Sequence, residues 1–581
     1  MLNRSSLLSP TLIAALLMIW GVGMLARGFW TPDEPREADI AWRMSWQTDK
    51  AIPLLAGAAF CEKPPLTYWI AAIPIQWLGA KPWVARLPNL LYALITALSV
   101  GLLARRSVGP LAGAVAAGAI STFLLSYQVA IWFATDAPLL AAVSVALLGT
   151  YIGFYANTSH ERLRGYLLMH AALAVGFLAK SAAAWMVPVL ATITLIIWER
   201  RWRELWRWEL YAGLGLQAAI ILPWVGWVYF GDRGPEHLKI FFWNNLAGRI
   251  TRVDAPAALQ YAAAHQNSPG KYLIELPLYL WPWTLLAIAA VRRTWASRLD
   301  SSMRTRAPRF AIAAFLPTLV VLSLAATARN VYLAPALPGA ALLLGWWAEN
   351  LKHEHDRWDL RALGFTAVLL MIGVAVGAAA LAILGADAWS ELPDRFGFVV
   401  LSTSGLAAAA YLAWRTWYAA RDARLPLALM GLMVAYCILL VGPASQAYRI
   451  VDRWQDLGLI GRDLKRDAMG RPLILLAPDE TTRALVDLYT RTDVTELPGP
   501  INSAALDSLR DRLVKSPLTL VFVQIPGREP SRLSRWWTTR IDTNPHKTQL
   551  SWLAVTDLRV ARRYSLPNGR HYFLLESLNR P

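Results

Sequence analysis

The sequence predicts a mainly α-helical, polytopic membrane protein: about thirteen transmembrane helices, short helices at one membrane surface, and a C-terminal soluble α/β domain. Three observations carry that prediction. Of the 581 residues, 56% are hydrophobic and 29 are tryptophan, a balance suited to a bilayer as solvent. Apolar runs of membrane-spanning length recur as far as about residue 443. Beyond residue 450 they give way to short strand-like runs between helical stretches.

The spans fall near 8–27, 87–104, 109–128, 135–155, 164–179, 182–198, 210–230, 273–291, 309–327, 332–349, 361–384, 397–417 and 424–443. The first reads as a retained helix, because Met24-Leu25-Ala26-Arg27-Gly28 lacks a small-x-small cleavage site. Connections carrying Arg105 and Arg106, Arg162 and Arg164, Arg200 to Arg207, Arg292 to Arg309, Arg357, and Arg415 to Arg424 then share one side, which the positive-inside rule makes the cytoplasm. An odd number of spans puts the N-terminus inside. The opposite side receives residues 28–86, the loop 231–272, the turn around Arg329 and everything after about 444, so residues 1–445 read as the membrane domain and 446–581 as an outer α/β domain.

Residues 28–86 hold Ile40, Ala41 and Met44, then Trp69, Ile70 and Ile73, at near-helical spacing, which predicts short amphipathic helices in the outer interface. In the tail, Leu473-Ile474-Leu475-Leu476 and 518–523 predict buried strands, 480–490 and 503–515 predict helices, and Asn568-Gly569 predicts the turn of a closing hairpin. The formal charge of +18 is assigned to cytoplasmic loops, with no nucleic-acid partner expected. Cys61 and Cys437 are too few for a thiolate metal cluster.

On this topology the polar residues Asp33, Glu34, Arg36, Glu37, Asp39, Glu62, Lys63, Asp136, Lys180, Arg249 and Arg329 gather on the outer face. A charge facing lipid at depth costs roughly 2.5–3.5 kcal/mol, so these residues are expected to line a shared cavity. Cations and carboxylates mixed at a membrane edge suit a substrate with an anionic headgroup and an apolar tail. Lys63, Arg36, Arg249 and Arg329 would hold phosphate, and a carboxylate such as Asp33 would take a proton from, or orient, an attacking group. Plainer roles compete: Asp136 as a helix cap, Lys180 as a snorkelling side chain, Arg249 and Arg329 as headgroup anchors.

Asp33-Glu34-Pro35-Arg36 resembles the Asp-Glu-x-Arg after the first helix of bacterial aminoarabinose transferases and the related protein-mannosyltransferase-like glycosyltransferases, and Glu62-Lys63-Pro64-Pro65-Leu66-Thr67-Tyr68-Trp69 is similar to a second motif of that group. Further matches are Thr135-Asp136, Phe177 to Lys180, Phe241-Phe242-Trp243 followed by Arg249, Leu276 to Trp283, and Arg329-Asn330-Val331-Tyr332 through Pro338. The resemblance covers roughly residues 10–350. It implies a GT-C fold and an inverting glycosyltransferase of the bacterial inner membrane. Such an enzyme moves a sugar, for instance 4-amino-4-deoxy-arabinose, from a polyprenyl (undecaprenyl) monophosphate to lipid A, another glycan or a protein on the periplasmic side.

By the same resemblance Asp33 is the carboxylate nearest the reaction, Asp136 a second catalytic acid of the cavity, and Arg36, Lys63 and Arg249 the donor-phosphate contacts; Arg329 joins those contacts on the residue reading above, and Glu34, Glu62, Lys180 and Tyr332 are read as further cavity residues. A monomer among membrane lipids is expected, with no cofactor required. A divalent metal at Glu62 is the one cofactor the resemblance brings in; here Asn244-Asn245 replace the usual Glu-His, Glu37 replaces an aromatic, and Cys61 replaces another. A flippase or a ligase-type partner for lipid-linked sugars is the alternative function.

Overall fold

The computed structural model describes residues 10–247, 270–296, 306–325, 329–491, 494–499, 501–516, 518–525, 552–553, 556, 558–566 and 570–578. Arg249 and the Asn568-Gly569 turn lie outside the described residues. The membrane part runs α1 (Pro10–Leu25), α2 (Asp33–Trp46), α3 (Leu66–Leu78), α4 (Pro82–Ser107), α5 (Pro110–Thr122), α6 (Leu124–Ile131), α7 (Asp136–Phe154), α8 (Ser159–Lys180), α9 (Ala183–Trp198), α10 (Trp208–Tyr229) and α11 (Gly234–Lys239). It continues through α12 (Lys271–Tyr279), α13 (Thr284–Ala296), α14 (Arg306–Leu324), α15 (Leu337–Asn350), α16 (Arg357–Asp387), α17 (Arg395–Arg421) and α18 (Leu425–Val441). Between α2 and α3, β1 (Leu54–Leu55) and β2 (Ala58–Ala59) form a small antiparallel pair.

Every predicted span coincides with a helix or a bent pair of helices. Among the described residues eight helices are long and apolar enough to cross a membrane alone, or up to ten if each bent pair counts as one span. The bent pairs are α5 with α6, at 65°, and α12 with α13, at 110°. A break frees backbone groups that lipid cannot satisfy. Here each break serves the other: Leu124 N–H donates to the Trp281 carbonyl at 3.0 Å, and Trp283 Nε1 donates to Thr122 Oγ1 at 2.9 Å.

The arginine-rich connections meet at one end of the bundle. Arg106 pairs with Glu161 at 2.6 Å, Arg292 with Asp356 at 2.5 Å, and Arg201 and Arg306 both lie over the Tyr155 ring. These contacts join five of the six connections predicted to share a side.

Helix α19 (Pro443–Gln455) leads out of the bundle, so the predicted 445/446 boundary falls within its first turn. Then come α20 (Gly458–Asp467), β3 (Leu473–Leu476), α21 (Glu480–Thr490), β4 (Val494–Leu497), α22 (Ser503–Lys515), β5 (Leu520–Ile525), β6 (Leu558–Ser565) and β7 (His571–Ser577). The sheet order is β4-β3-β5-β7-β6, with β3 parallel to both β4 and β5, and β7 antiparallel to both β5 and β6. Alternate strand residues face two cores. Leu473, Leu475, Leu520 and Phe522 pack with Ile460, Leu464 and Leu485, while Ile474, Leu476, Val521 and Val523 pack with Leu509 and Leu513 of α22. A sheet covered on both faces reads as an unbroken apolar run, which is why Leu473–Leu476 carries no alternation.

The two amphipathic helices predicted for the interface differ in fate. On α3, Ile73 and Trp77 are exposed as an interfacial helix would leave them. Helix α2 instead buries Ile40, Ala41 and Met44 against Tyr68, Ala71 and Ile75 of α3 and Ala484 and Leu488 of α21. Its apolar stripe meets protein, including the soluble domain, and not lipid.

Candidate active site

Helix α2 carries the first half of the site. Pro32 precedes it and Pro35 occupies its first turn, where the missing N–H is harmless, and the acidic Asp33 and Glu34 suit the positive end of the helix dipole. Lys63 lies in the turn ahead of α3. Asp136 opens α7 and Lys180 closes the adjacent antiparallel α8, so the two ends meet. Close packing brings them there: a Cβ on Gly165 of α8 would lie 2.3 Å from Gly153 N of α7.

Four ion pairs then form one acidic-basic mouth. Asp33 pairs with Arg329, Lys63 with Glu37, Asp136 with Lys180 at 2.5 Å, and Arg36 with Glu480 of the soluble domain at 3.1 Å. Lys180 Nζ lies 5.5 Å from the Tyr332 ring centroid, and Tyr68 Oη donates to Glu37 at 2.7 Å. Arg329 stands just ahead of the 3₁₀ turn Asn330–Ala336, with its carbonyl accepting from Tyr272 Oη at 2.8 Å. Burial alone would raise the Asp33 carboxyl, but the Arg329, Lys63 and Arg36 cations hold it below the ordinary aspartate value. Asp33 is therefore ionised at neutral pH, and its basicity is weak.

The structure thus brings Asp33, Arg36, Lys63, Asp136, Lys180, Arg329 and Tyr332 together. Asp136 uses its carboxylate on Lys180, and neither residue needs the plainer capping or snorkelling role. Glu62 sits near Arg36, which feels its charge. Among the described residues no group of three or more His, Cys, Asp and Glu side chains is placed to hold a metal ion.

Two predicted cavity residues are placed elsewhere. Glu34 is completely buried: Arg27 Nη1 donates to it at 2.7 Å, Arg86 Nε at 2.8 Å, and the amides of Phe133 and Trp30 at 2.7 and 2.9 Å. It ties the end of α1 to α2 and α4 beneath the mouth. Asp39 is also fully buried, at the dock between α2 and α21, where Ala56 N–H donates to it at 2.7 Å.

Sequence reasoning missed the partners of the cations. Glu37 and Glu480 occupy Lys63 and Arg36, and nothing in the spacing connects residue 480 to residue 36. Arg27 and Arg86 had a visible signal: both flank predicted spans, where an arginine needs a partner.

The family model described as dolichyl-phosphate-mannose-protein mannosyltransferase matches residues 62–227. Among curated proteins, the undecaprenyl phosphate-alpha-4-amino-4-deoxy-L-arabinose arabinosyl transferase of Pseudomonas paraeruginosa is 29% identical over 456 residues, covering 78% of each chain. The protein of the same name from Edwardsiella ictaluri is 28% identical over 367 residues, covering 62% of this chain and 63% of the relative. Among solved structures, ArnT from Cupriavidus metallidurans bound to undecaprenyl phosphate superposes with a TM-score of 0.72 at 18% identity, over 98% of this chain and 99% of that one. The Archaeoglobus fulgidus oligosaccharyltransferase gives 0.50 at 10% identity, over 89% and 69%.

A helical membrane bundle with a charged mouth and a docked soluble domain is the fold shared with ArnT from Cupriavidus metallidurans. In sequence the chain is similar to the aminoarabinose transferases over most of its length.

Proposed function

We propose that the protein is an inverting glycosyltransferase that moves a sugar, such as an aminopentose, from a polyprenyl monophosphate to an envelope acceptor on the periplasmic side of the bacterial inner membrane. The observation that carries this reading is the mouth itself, where Arg36, Lys63 and Arg329 crowd around Asp33 at the end of the bundle opposite the arginine-rich loops. The donor named for the relatives at 27–29% identity supplies the substrate class: undecaprenyl phosphate carrying aminoarabinose. Thirteen spans, an inner N-terminus and an outer C-terminal domain complete the reading.

An acceptor oxygen attacks the anomeric carbon from the face opposite the phosphate. The new carbon–oxygen bond forms as the sugar–phosphate bond breaks, the electron pair leaves with the polyprenyl phosphate, and the acceptor proton passes to a carboxylate or to water. Arg36, Lys63 and Arg329, with Arg249, stabilise the leaving phosphate. A weakly basic, ionised Asp33 is best suited to orienting the acceptor hydroxyl and stabilising the positive charge that grows on the sugar ring, with Asp136 as the second acid of the cavity.

The test is transfer of label from a polyprenyl-phosphate sugar by purified protein. Asp33→Ala is expected to lower kcat by about 10²–10³, the usual loss when one transition-state contact is removed. Lys63→Ala is expected to raise the donor KM by roughly 10- to 100-fold, as for a charged hydrogen bond. Unimpaired transfer by both variants would sink the site assignment.

A further inference from the structure

Arg36 is held from outside the membrane domain. Its guanidinium is mostly buried, with 17% of the side chain accessible, whereas its partner Glu480 is half exposed, at 50%. Arg36 Nε is buried without a hydrogen-bond partner, and it is the Nη1 end of the planar fork that meets Glu480. Four carboxylates act on Arg36: Glu480 first, then Glu37, Glu62 and Asp33. Glu37 is engaged by Lys63 and Tyr68, and Asp33 by Arg329.

Glu480 differs from the other three in belonging to α21 of the soluble domain. That helix is fixed in place. Thr481 Oγ1 donates to the Pro32 carbonyl at 3.2 Å, Arg43 meets Asp487 at 2.5 Å, and Ala484 and Leu488 lie in the apolar cluster of α2 and α3. The Asp479 carboxylate caps the helix by accepting from Thr482 N–H at 2.7 Å. A firmly seated helix therefore presents a half-exposed, easily displaced carboxylate to a buried cation at the donor site.

We propose that Glu480 is a positioning residue of that site: it competes with the donor phosphate for Arg36 and is exchanged for it when the lipid binds, so the soluble domain sets donor affinity. This rests on the reading above that Arg36 contacts the donor phosphate. On exchange, the Arg36–Glu480 ion pair gives way to an Arg36–phosphate pair, and Glu480 turns to water without movement of the domain.

The experiment is equilibrium binding of undecaprenyl phosphate to the full-length protein in lipid nanodiscs, for the wild type, Glu480→Gln, Arg36→Ala and the double variant. Glu480→Gln is expected to tighten binding by about two- to five-fold, the scale of an exposed ion pair, and to lower the donor KM with kcat held. A purely structural role would weaken binding instead. Arg36→Ala is expected to weaken binding by roughly tenfold or more, and in its background Glu480→Gln should have no further effect. If Arg36→Ala weakens binding but Glu480→Gln leaves it unchanged or weaker, the exchange is overturned and the donor-site reading stands. Binding indifferent to Arg36→Ala overturns the donor-site role of Arg36 itself, and the exchange falls with it.

Discussion

Glu34 and Asp33 are neighbours in sequence and opposites in role. Successive helical residues point about 100° apart, so in the first turn of α2 one carboxylate enters the mouth while the other enters the core. Glu34 has no accessible surface and faces Arg27 and Arg86, which have none either. Removing one member of such a group leaves a buried charge uncompensated, at about 3–5 kcal/mol. Glu34→Ala is therefore expected to lower the unfolding temperature and the yield in detergent sharply. Asp33 carries the pH prediction at this scale. Its folded-state pKa is depressed, so its pairing contributes above the ordinary aspartate value of about 3.9 and is lost as pH falls through the lower folded value. Across about pH 5 to 8 the rate should show no step that disappears in Asp33→Asn. The motif was legible residue by residue. Which of its acids lies in the mouth was not, because that depends on partners 52 and 99 positions away from Glu34 in Arg86 and Phe133.

At the scale of elements, packing decides where the site forms. Gly149 and Gly153 of α7 and Gly165 of α8 let two backbones touch, the small-residue contact that membrane helices favour. Gly165→Ala should cost roughly 1–3 kcal/mol by overpacking and should lower transfer along with thermal stability, because it pushes apart the helices whose ends carry Asp136 and Lys180. The dock between α2 and α21 supplies a pH dependence of opposite sign. Burial, then the neighbouring Asp487 carboxylate, raise the Asp39 carboxyl well above its ordinary value, against the opposing pull of the Ala56 amide and Arg43. A raised carboxyl contributes stability that is full below about pH 3.9 and lost as pH rises through the folded value. Asp39→Asn should thus be more stable than the wild type at pH 8 and nearly equal at low pH, as thermal unfolding at several pH values will measure. Helix positions were readable from apolar length alone. The two breaks were not, since their freed backbone groups are satisfied by each other across the fold, and β4 was missed because Val494-Thr495-Glu496-Leu497 is short and half polar.

For the whole molecule, the readable quantity was sidedness. Loop arginines grouped the connections before any contact was known, and Arg106–Glu161 and Arg292–Asp356 join connections so grouped. The compartment assignment makes a direct prediction. In intact spheroplasts a membrane-impermeant thiol reagent should label Ser503→Cys, in the soluble domain, and spare His160→Cys, at the arginine-rich end; both positions are exposed. The native Cys61 is buried and Cys437 partly so, which keeps the background low. The reverse labelling pattern would invert the topology. The docking of the soluble domain on α2 lay beyond sequence reasoning, since it joins residues more than 400 positions apart, as Arg43 and Asp487 are.

Among the described residues that domain ends its sheet on β6, an outermost strand with a register shift between Val560 and Arg562 and with Arg559, Arg562 and Arg563 along it. An open strand edge is a template on which another chain can add. The shift interrupts the row of amides and carbonyls that such an intruder must match, while Arg559 and Arg562 are held by Glu576, Asp463 and Asp467 of the same chain. An edge so interrupted is a poor template for a second copy, so the strand that finishes the sheet also disfavours growth of one molecule onto the next.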